Sequence, residues 1–492
     1  MKSVTEKTSE KIPATQLYID GHWVEGSGRE TREIKNPADG STIAEVAYGS
    51  REDARKALDA AGRTFPAWSR LTGLERSNLL RKAAALMRQR QAEIARLMTL
   101  ENGKPLSQSL IEVEGSAQHF DWYAEEARRT YGRLIPHQTP GKRHLTLQQP
   151  VGVAAVITPW NFPLMLLARK AAPALAAGCT VVAKPAGQTP LVALAMARCC
   201  EDAGFPPGVI NVVIGPAEEM GKEFLENPIC RKISFTGSTE VGAILMRGAA
   251  GQIKNLSLEL GGHCPVLVFD DADLKTAVQK SAGSKYRNTG QSCIAANRIF
   301  VQEGIYEAFL EAFVRHSQGL KVAPGLEEGA NIGPLIDKPT FEKVMQQIDN
   351  ATSRGARLEC GGQRLRGEKF DRGYFVAPTV LTNVSDDMLC MCEETFGPMI
   401  PVVPFSDELQ AIGRANNTKY GLAAYVHTRD IGRAFRVAEA VEAGTVAVND
   451  DVPSTTIAPF GGVKQSGLGR ECGVEGIEAF LETKHVSICL PD

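Results

Sequence analysis

The run VGVAAVITPWNFP (151–163) is apolar at nearly every position up to Thr158, and then breaks on Pro159 and Pro163. A strand that does not alternate is buried on both faces, the condition of a parallel sheet covered by helices on either side. Outward from this run the pattern repeats with a short period. A helical stretch near 164–177 leads to a strand at CTVVAKP (179–185), and LVALAMARCCEDAG then reads as helix. GVINVVIG (208–215) and RKISFTG (231–237) continue the series, each followed by a helical stretch. This alternation, with Gly- and Pro-marked loops, predicts an α/β fold with a doubly wound parallel sheet. A second alternating series runs from GGHCP (261–265) to about 450 and ends on the strand TVAVN (445–449). Residues near 53–125 read as helices packed against the first sheet. RLIPHQTPGKRHLTLQQP (133–150) is polar, β-prone and turn-marked, and reads as a hairpin suited to a subunit contact.

At 492 residues the chain is too long for one ordinary core, so two or more domains are expected. Its 55 basic and 57 acidic residues give a formal net charge of −2, which implies no overall attraction to nucleic acid or to an anionic membrane. No window approaches the roughly 18 uninterrupted apolar residues of a membrane span. The N-terminal MKSVTEKTSEKIPATQ lacks the apolar core of a signal peptide. The eleven cysteines follow neither a zinc-ligand ladder nor a secreted disulfide framework, so a cytoplasmic protein with reduced thiols and no metal is expected.

The chemistry-bearing residues stand in short motifs. Cys293 closes NTGQSC (288–293), on a tight loop after a predicted helix, and a nucleophilic cysteine needs surroundings that favour its thiolate. Glu259 lies in LELGG (258–262), in a β-prone run that ends at a Gly-Gly turn. Asn161 sits between the two prolines just past the carboxyl end of strand 151–158, the edge at which open α/β sheets bind ligands. FTGSTEVG (235–242) follows a strand and opens a helix, so amides around Gly237 and Ser238 could meet a phosphate. Lys184 ends its strand in KPAGQTP, and EETFGP (393–398) carries Glu394 and Phe396. By itself each has an ordinary explanation as a core thiol, a turn residue or a solvated charge. No GxGxxG follows any of the strands.

Together the motifs are far more specific. PWNFP, KPA-x-QTP, FTGSTEVG, LELGG, GQSC, EETFGP and PFGGVKQSGLGRE occur in that order from residue 159 to 471. This series resembles the aldehyde dehydrogenase superfamily, from about residue 15 to the end. The resemblance implies a dinucleotide-binding domain at 15–132 and 151–258, a catalytic domain at 259–470, and a small β oligomerisation arm at 133–150 and 471–492. It implies Cys293 as the nucleophile, Asn161 in the oxyanion site and Glu259 as the general base. For the cofactor it implies Lys184 at the adenosine ribose, Ser238 at the pyrophosphate, Glu394 at the nicotinamide ribose, and Trp160 and Phe396 lining the cleft. NAD-preferring members carry a glutamate where this chain has Gly187. Its absence leaves Lys184 free to pair with a 2′-phosphate, so NADP is expected to be accepted and preferred over NAD.

Three further positions resemble the succinate-semialdehyde dehydrogenase group, which holds its substrate's carboxylate with two arginines and a serine: here Arg169, Arg287 and Ser454. The expected reaction is therefore oxidation of succinate semialdehyde through a cysteine thiohemiacetal and thioester. Glutarate semialdehyde or another ω-carboxy aldehyde, aromatic ones included, is the alternative. The ordinary explanation of the two arginines is a structural ion pair. Ala295 stands where some relatives carry a second cysteine, so no local disulfide switch is expected. The resemblance also implies a homodimer or tetramer built on 133–150 and the strand after Lys484. The retained Cys293, Glu259 and Asn161 argue against a purely structural role, and the lack of a Cys–His motif argues against a cysteine hydrolase.

Overall fold

Strand after strand in the first series is buried on both faces, and the sheet follows from that burial. The computed structural model describes residues 14–490; residues 1–13, which carry most of the N-terminal stretch read for a signal peptide, and the last two residues of the expected arm lie outside the described residues. Five strands run parallel, in the order Asn255–Glu259, Cys230–Thr236, Val153–Ile157, Thr180–Lys184, Ile210–Val212. Short antiparallel strands complete eight: Gly467–Leu468 at one edge, Leu17–Ile19 and His22–Val24 at the other.

The chain leaves Val153–Ile157 toward Ile210–Val212, then returns to lay Cys230–Thr236 on the other side of its starting strand. That reversal is a topological switch point, where a crevice opens beyond the carboxyl ends of the strands. Phe235 pairs with Ile157, Ile157 with Lys184, and Thr236 with Glu259, so these strands end along one edge. Asn161, Lys184, Gly237 and Glu259 all stand on it.

The second series forms a seven-stranded sheet: Arg357–Cys360, Thr379–Thr382, Met399–Phe405, Ala296–Gln302, Cys264–Val268, Ala423–His427, Thr445–Val448. All pairs are parallel except the first. The region near 53–125 contains four helices, Arg51–Trp68, Gly73–Gln89, Gln91–Asn102 and Leu106–Glu126. Ser50 and Thr72 open the first two with reciprocal capping boxes, which satisfy the amides left free at a helix start.

Three elements depart from the sequence expectation. The strand expected at 208–215 contracts to Ile210–Val212, because Gly208 turns the chain at φ +80°. The strand pair Glu30–Lys35 and Thr42–Tyr48 was not anticipated, since in ETREIK only Ile34 is buried and no apolar period shows. The C-terminal strand spans Leu481–Cys489, starting before Lys484, and pairs along its whole length with Lys142–Pro150 of the hairpin. Residues 471–480 do not join that arm. Cys472, Ile477 and Phe480 are buried in the body, and Glu471 pairs with buried Lys170.

Candidate active site

Cys293 is presented by a turn that few sequences tolerate. Helix Leu274–Tyr286 ends at Arg287, and Asn288, Thr289 and Gly290 follow with φ of +49°, +61° and +76°. Left-handed backbone at a non-glycine costs about 1–3 kcal/mol and survives only where its surroundings hold it. Here the Asn288 side-chain amide donates to Asn161 O at 2.8 Å and to Gln291 O at 3.2 Å, and Thr289 Oγ1 accepts from Gly333 N at 3.0 Å. Gly262 allows the last approach, since a Cβ there would lie 2.1 Å from Cys293 O.

The thiol donates to Glu259 Oε1 at 3.0 Å, and Glu259, fully buried, also accepts from Thr236 Oγ1 at 2.9 Å. Burial first, and then the Glu259 charge, push the Cys293 thiol well above its ordinary value. The resting pair is thus a neutral thiol with its proton already aimed at a carboxylate, within the reach a nucleophile and base require. Asn161 lies alongside. Its Nδ2 donates to Gln291 O at 3.2 Å, while its Oδ1 has no partner.

Behind Asn161 is a buried ion pair that the sequence did not single out. Lys104 Nζ donates to Glu112 at 2.5 Å and to Asn161 O at 2.6 Å. Glu112 in turn accepts from the amides of Leu164 and Met165, at the start of helix Met165–Ala177.

A cavity of about 860 Å³ opens over Cys293, lined also by Arg169, Arg287, Ser454, Phe162 and Phe460. Three residues distant in sequence therefore face the thiol as expected; Glu259 and Asn161 do not line the cavity. Arg169 is only 5% exposed. Its Nη2 donates to Ser454 Oγ at 2.9 Å, its guanidinium lies 4.9 Å from the Phe460 ring centroid, and its Nε has no partner. Among the described residues no carboxylate lies within ion-pair distance of Arg169, so the ordinary ion-pair explanation has no partner to name at this arginine. Burial opposes its charge, yet Cys472, Glu259 and Glu471 hold its pKa above the ordinary value. His119, facing the same cavity, is brought down to about 3 by burial and by Arg169, and stays neutral. Arg287 approaches Asp451 only to 3.9 Å, while Asp451 accepts from Lys280 at 2.8 Å. A buried charge without a carboxylate at ion-pair distance is costly, so an anion at this end of the cavity would be favoured.

The expected cofactor residues form a separate group along the sheet edge. Glu394 accepts from Gly262 N at 3.0 Å, and burial raises its carboxyl to about 7. Trp160 and Phe396 meet edge to face, centroids 5.5 Å apart. Ser238 caps helix Thr239–Ala249 and accepts from Val241 N at 3.3 Å. The Gly237 amide donates to Glu259 O at 3.1 Å, so it is not free for a phosphate, a correction to the sequence expectation. Lys184 is buried, and its Nζ meets only Pro185 O at 3.5 Å. A buried ammonium so poorly paired suits a ribose hydroxyl or a phosphate of a dinucleotide. Among the described residues no three His, Cys, Asp or Glu side chains are grouped to hold a metal, and no helix is long and apolar enough to cross a membrane.

A family model described as the aldehyde dehydrogenase family matches residues 23–486. The chain is 50% identical over 473 residues to a mitochondrial succinate-semialdehyde dehydrogenase of Oryza sativa subsp. japonica, covering 96% of this chain and 89% of the relative. It is 48% identical over 473 residues to a glutarate-semialdehyde dehydrogenase of Pseudomonas putida, covering 96% and 97%. A crystal structure of an NADP-dependent enzyme of E. coli superimposes with a TM-score of 0.96 at 47% identity, covering 98% of this chain and 100% of that one.

Proposed function

The chain belongs to the aldehyde dehydrogenase family, and on that premise we propose that it oxidises succinate semialdehyde to succinate with NAD(P) as acceptor. The aldehyde enters the cavity with its carboxylate toward Arg169, Arg287 and Ser454, which places the carbonyl carbon at Cys293. As Sγ attacks, its proton passes to Glu259 Oε1. The oxygen of the thiohemiacetal takes up negative charge, and Asn161 Nδ2 turns from Gln291 O to meet it, together with the Cys293 amide. Such donors are worth about 2.7–4 kcal/mol each where charge develops. A bound NAD(P)+ would supply the hydride acceptor that turns this adduct into a thioester on Cys293. Glu259 first gives up the thiol proton to solvent and then takes one from the attacking water, whose hydroxide displaces the Cys293 thiolate, and the acid leaves. Lys184, Ser238 and Glu394 would hold the cofactor, with Trp160 and Phe396 beside it, and Gly187 places no carboxylate against a 2′-phosphate.

Buried Arg169, facing Cys293 across one cavity with no carboxylate of its own, carries the substrate reading. Its test is kcat/KM for carboxylated aldehydes against uncharged aldehydes of equal length, with NAD and with NADP. A large preference for the charged partner, lost in Arg169→Ala and Arg287→Ala, supports the anion clamp; equal rates return both arginines to structural roles. The volume of the cavity favours a second reading, glutarate semialdehyde or a longer ω-carboxy aldehyde, and the same panel separates the two.

We assign the sheet of Arg133–Ile135, Lys142–Pro150 and Leu481–Cys489 to contacts between copies in a dimer or tetramer. The dinucleotide-binding role falls to the eight-stranded sheet and the catalytic role to the seven-stranded one. The absence of any disulfide among the eleven cysteines supports a cytoplasmic setting.

A further inference from the structure

Arg32 stands on Glu30–Lys35, far in sequence from every cofactor motif. Side chains alternate along a strand, so Arg32 shares a face with Ile34, the buried residue of its strand, while Glu33 and Lys35 pair with each other on the opposite face. Arg32 is thereby directed at the body. Its guanidinium ends where the side chain of residue 187 would begin: a Cβ on Gly187 would stand 2.7 Å from Arg32 Nη1 and 3.1 Å from Cζ. The same guanidinium lies near enough to Lys184 to help bring that ammonium down.

Two cations therefore converge at the end of strand Thr180–Lys184. Lys184 has Pro185 O at 3.5 Å, and Arg32 has the Tyr48 ring with its centroid at 5.7 Å. Neither meets a carboxylate among the described residues. Like charges repel, and the arrangement gains most from an anion placed between them. A phosphate dianion fits both donors, taking paired hydrogen bonds from a guanidinium and a point contact from an ammonium.

We propose that Arg32 and Lys184 together clamp the 2′-phosphate of NADP, and that Arg32 is the residue that selects NADP over NAD. The proposal rests on the cofactor reading above and adds a residue to it. Gly187 then does two things: it opens the cradle, and it spares Arg32 the glutamate that would otherwise occupy the space and neutralise it.

The test is calorimetric titration of the full-length protein with 2′,5′-ADP and with 5′-AMP, which differ by the 2′-phosphate alone. The quantity read is the ratio of the two dissociation constants. The wild type is expected to favour 2′,5′-ADP, and Arg32→Ala to shrink that ratio about tenfold or more, with Arg32→Lys intermediate. Arg32→Gln serves as a second neutral variant, and circular dichroism melting checks the fold of each. A wild type that does not distinguish the two nucleotides overturns the cofactor reading and the clamp together. A wild-type preference that survives in Arg32→Ala and Arg32→Gln overturns the clamp and leaves the cofactor reading standing.

Discussion

The proton of Cys293 is held by burial and by the Glu259 carboxylate, and the two causes can be separated by experiment. In the protein without cofactor, the pH midpoint for alkylation by iodoacetamide is expected above the roughly 8.5 of a free thiol. Both causes disfavour the thiolate, so Glu259→Gln, which removes one of them, should move the midpoint down. A midpoint that rises in that variant would mean Glu259 helps to form the thiolate instead. Lys184 gives a second pH dependence. Burial, then Arg32, bring its ammonium to about 8, so in the free protein it is charged at pH 7 and loses its proton as pH passes 8. KM for NADP should therefore be steady near pH 7 and climb above pH 8; a flat profile to pH 9.5 removes Lys184 from phosphate binding. Gly187→Glu should turn the kcat/KM ratio toward NAD, because the new carboxylate repels the phosphate and engages Arg32; undiminished NADP activity counts against both readings. The residues proposed to touch the substrate or carry the chemistry could be picked out in the sequence, since each stands in an ordered motif or at a fixed offset from one. Arg32, Lys104 and Glu112 were not, because they act across space and belong to no local pattern.

Helix Met165–Ala177 shows how one element can place several site residues at once. It is buried along its length, Arg169 and Lys170 included, and its alanines let it pack closely on its neighbours. Its start is fixed by Glu112, which bonds the amides of Leu164 and Met165 while pairing with Lys104, and Lys104 holds Asn161 O. Breaking a buried pair leaves one charge uncompensated, so Lys104→Met should lower stability by about 3–5 kcal/mol in urea denaturation. Lys104→Met combined with Glu112→Gln should cost less than the single change, because no unpaired charge remains. A loss within 1 kcal/mol for Lys104→Met, against the roughly 3–5 expected, would show that the pair does not support the Asn161 loop. At this scale the apolar parallel strands could be read directly, since burial on both faces leaves an unbroken apolar run. The pair Glu30–Lys35 and Thr42–Tyr48 could not, because a mostly exposed strand carries no apolar period, and it is this pair that brings Arg32 to the cofactor edge.

Across the whole molecule, the residues proposed for the chemistry stand on or beside the two large sheets, and the three-stranded sheet contributes none of them. Its hairpin exposes Leu134, Ile135 and Leu147, apolar surface that a second copy could cover. Removing residues 481–492 would strip the partner strand from Lys142–Pro150 along its full length, and sedimentation of that truncation should show smaller species than the wild type. The arm also carries a row of three histidines. His144 stacks near His137 at 4.4 Å and near His485 at 4.9 Å, with His144 Nδ1 and His485 Nε2 2.8 Å apart. Burial, then His137 and His485, lower the pKa of His144. A histidine whose folded value lies below its unfolded value, about 6.5, binds fewer protons when folded, so its environment is compatible with folding above that pH and penalised below it. The melting temperature is accordingly expected to fall as pH drops from 7.5 to 5.5, and His144→Gln to flatten part of that fall. A pH profile of melting that is the same in His144→Gln as in the wild type would mean that the histidine row does not bear on the stability of the arm, and would leave the strand pairing with Lys142–Pro150 as what holds it.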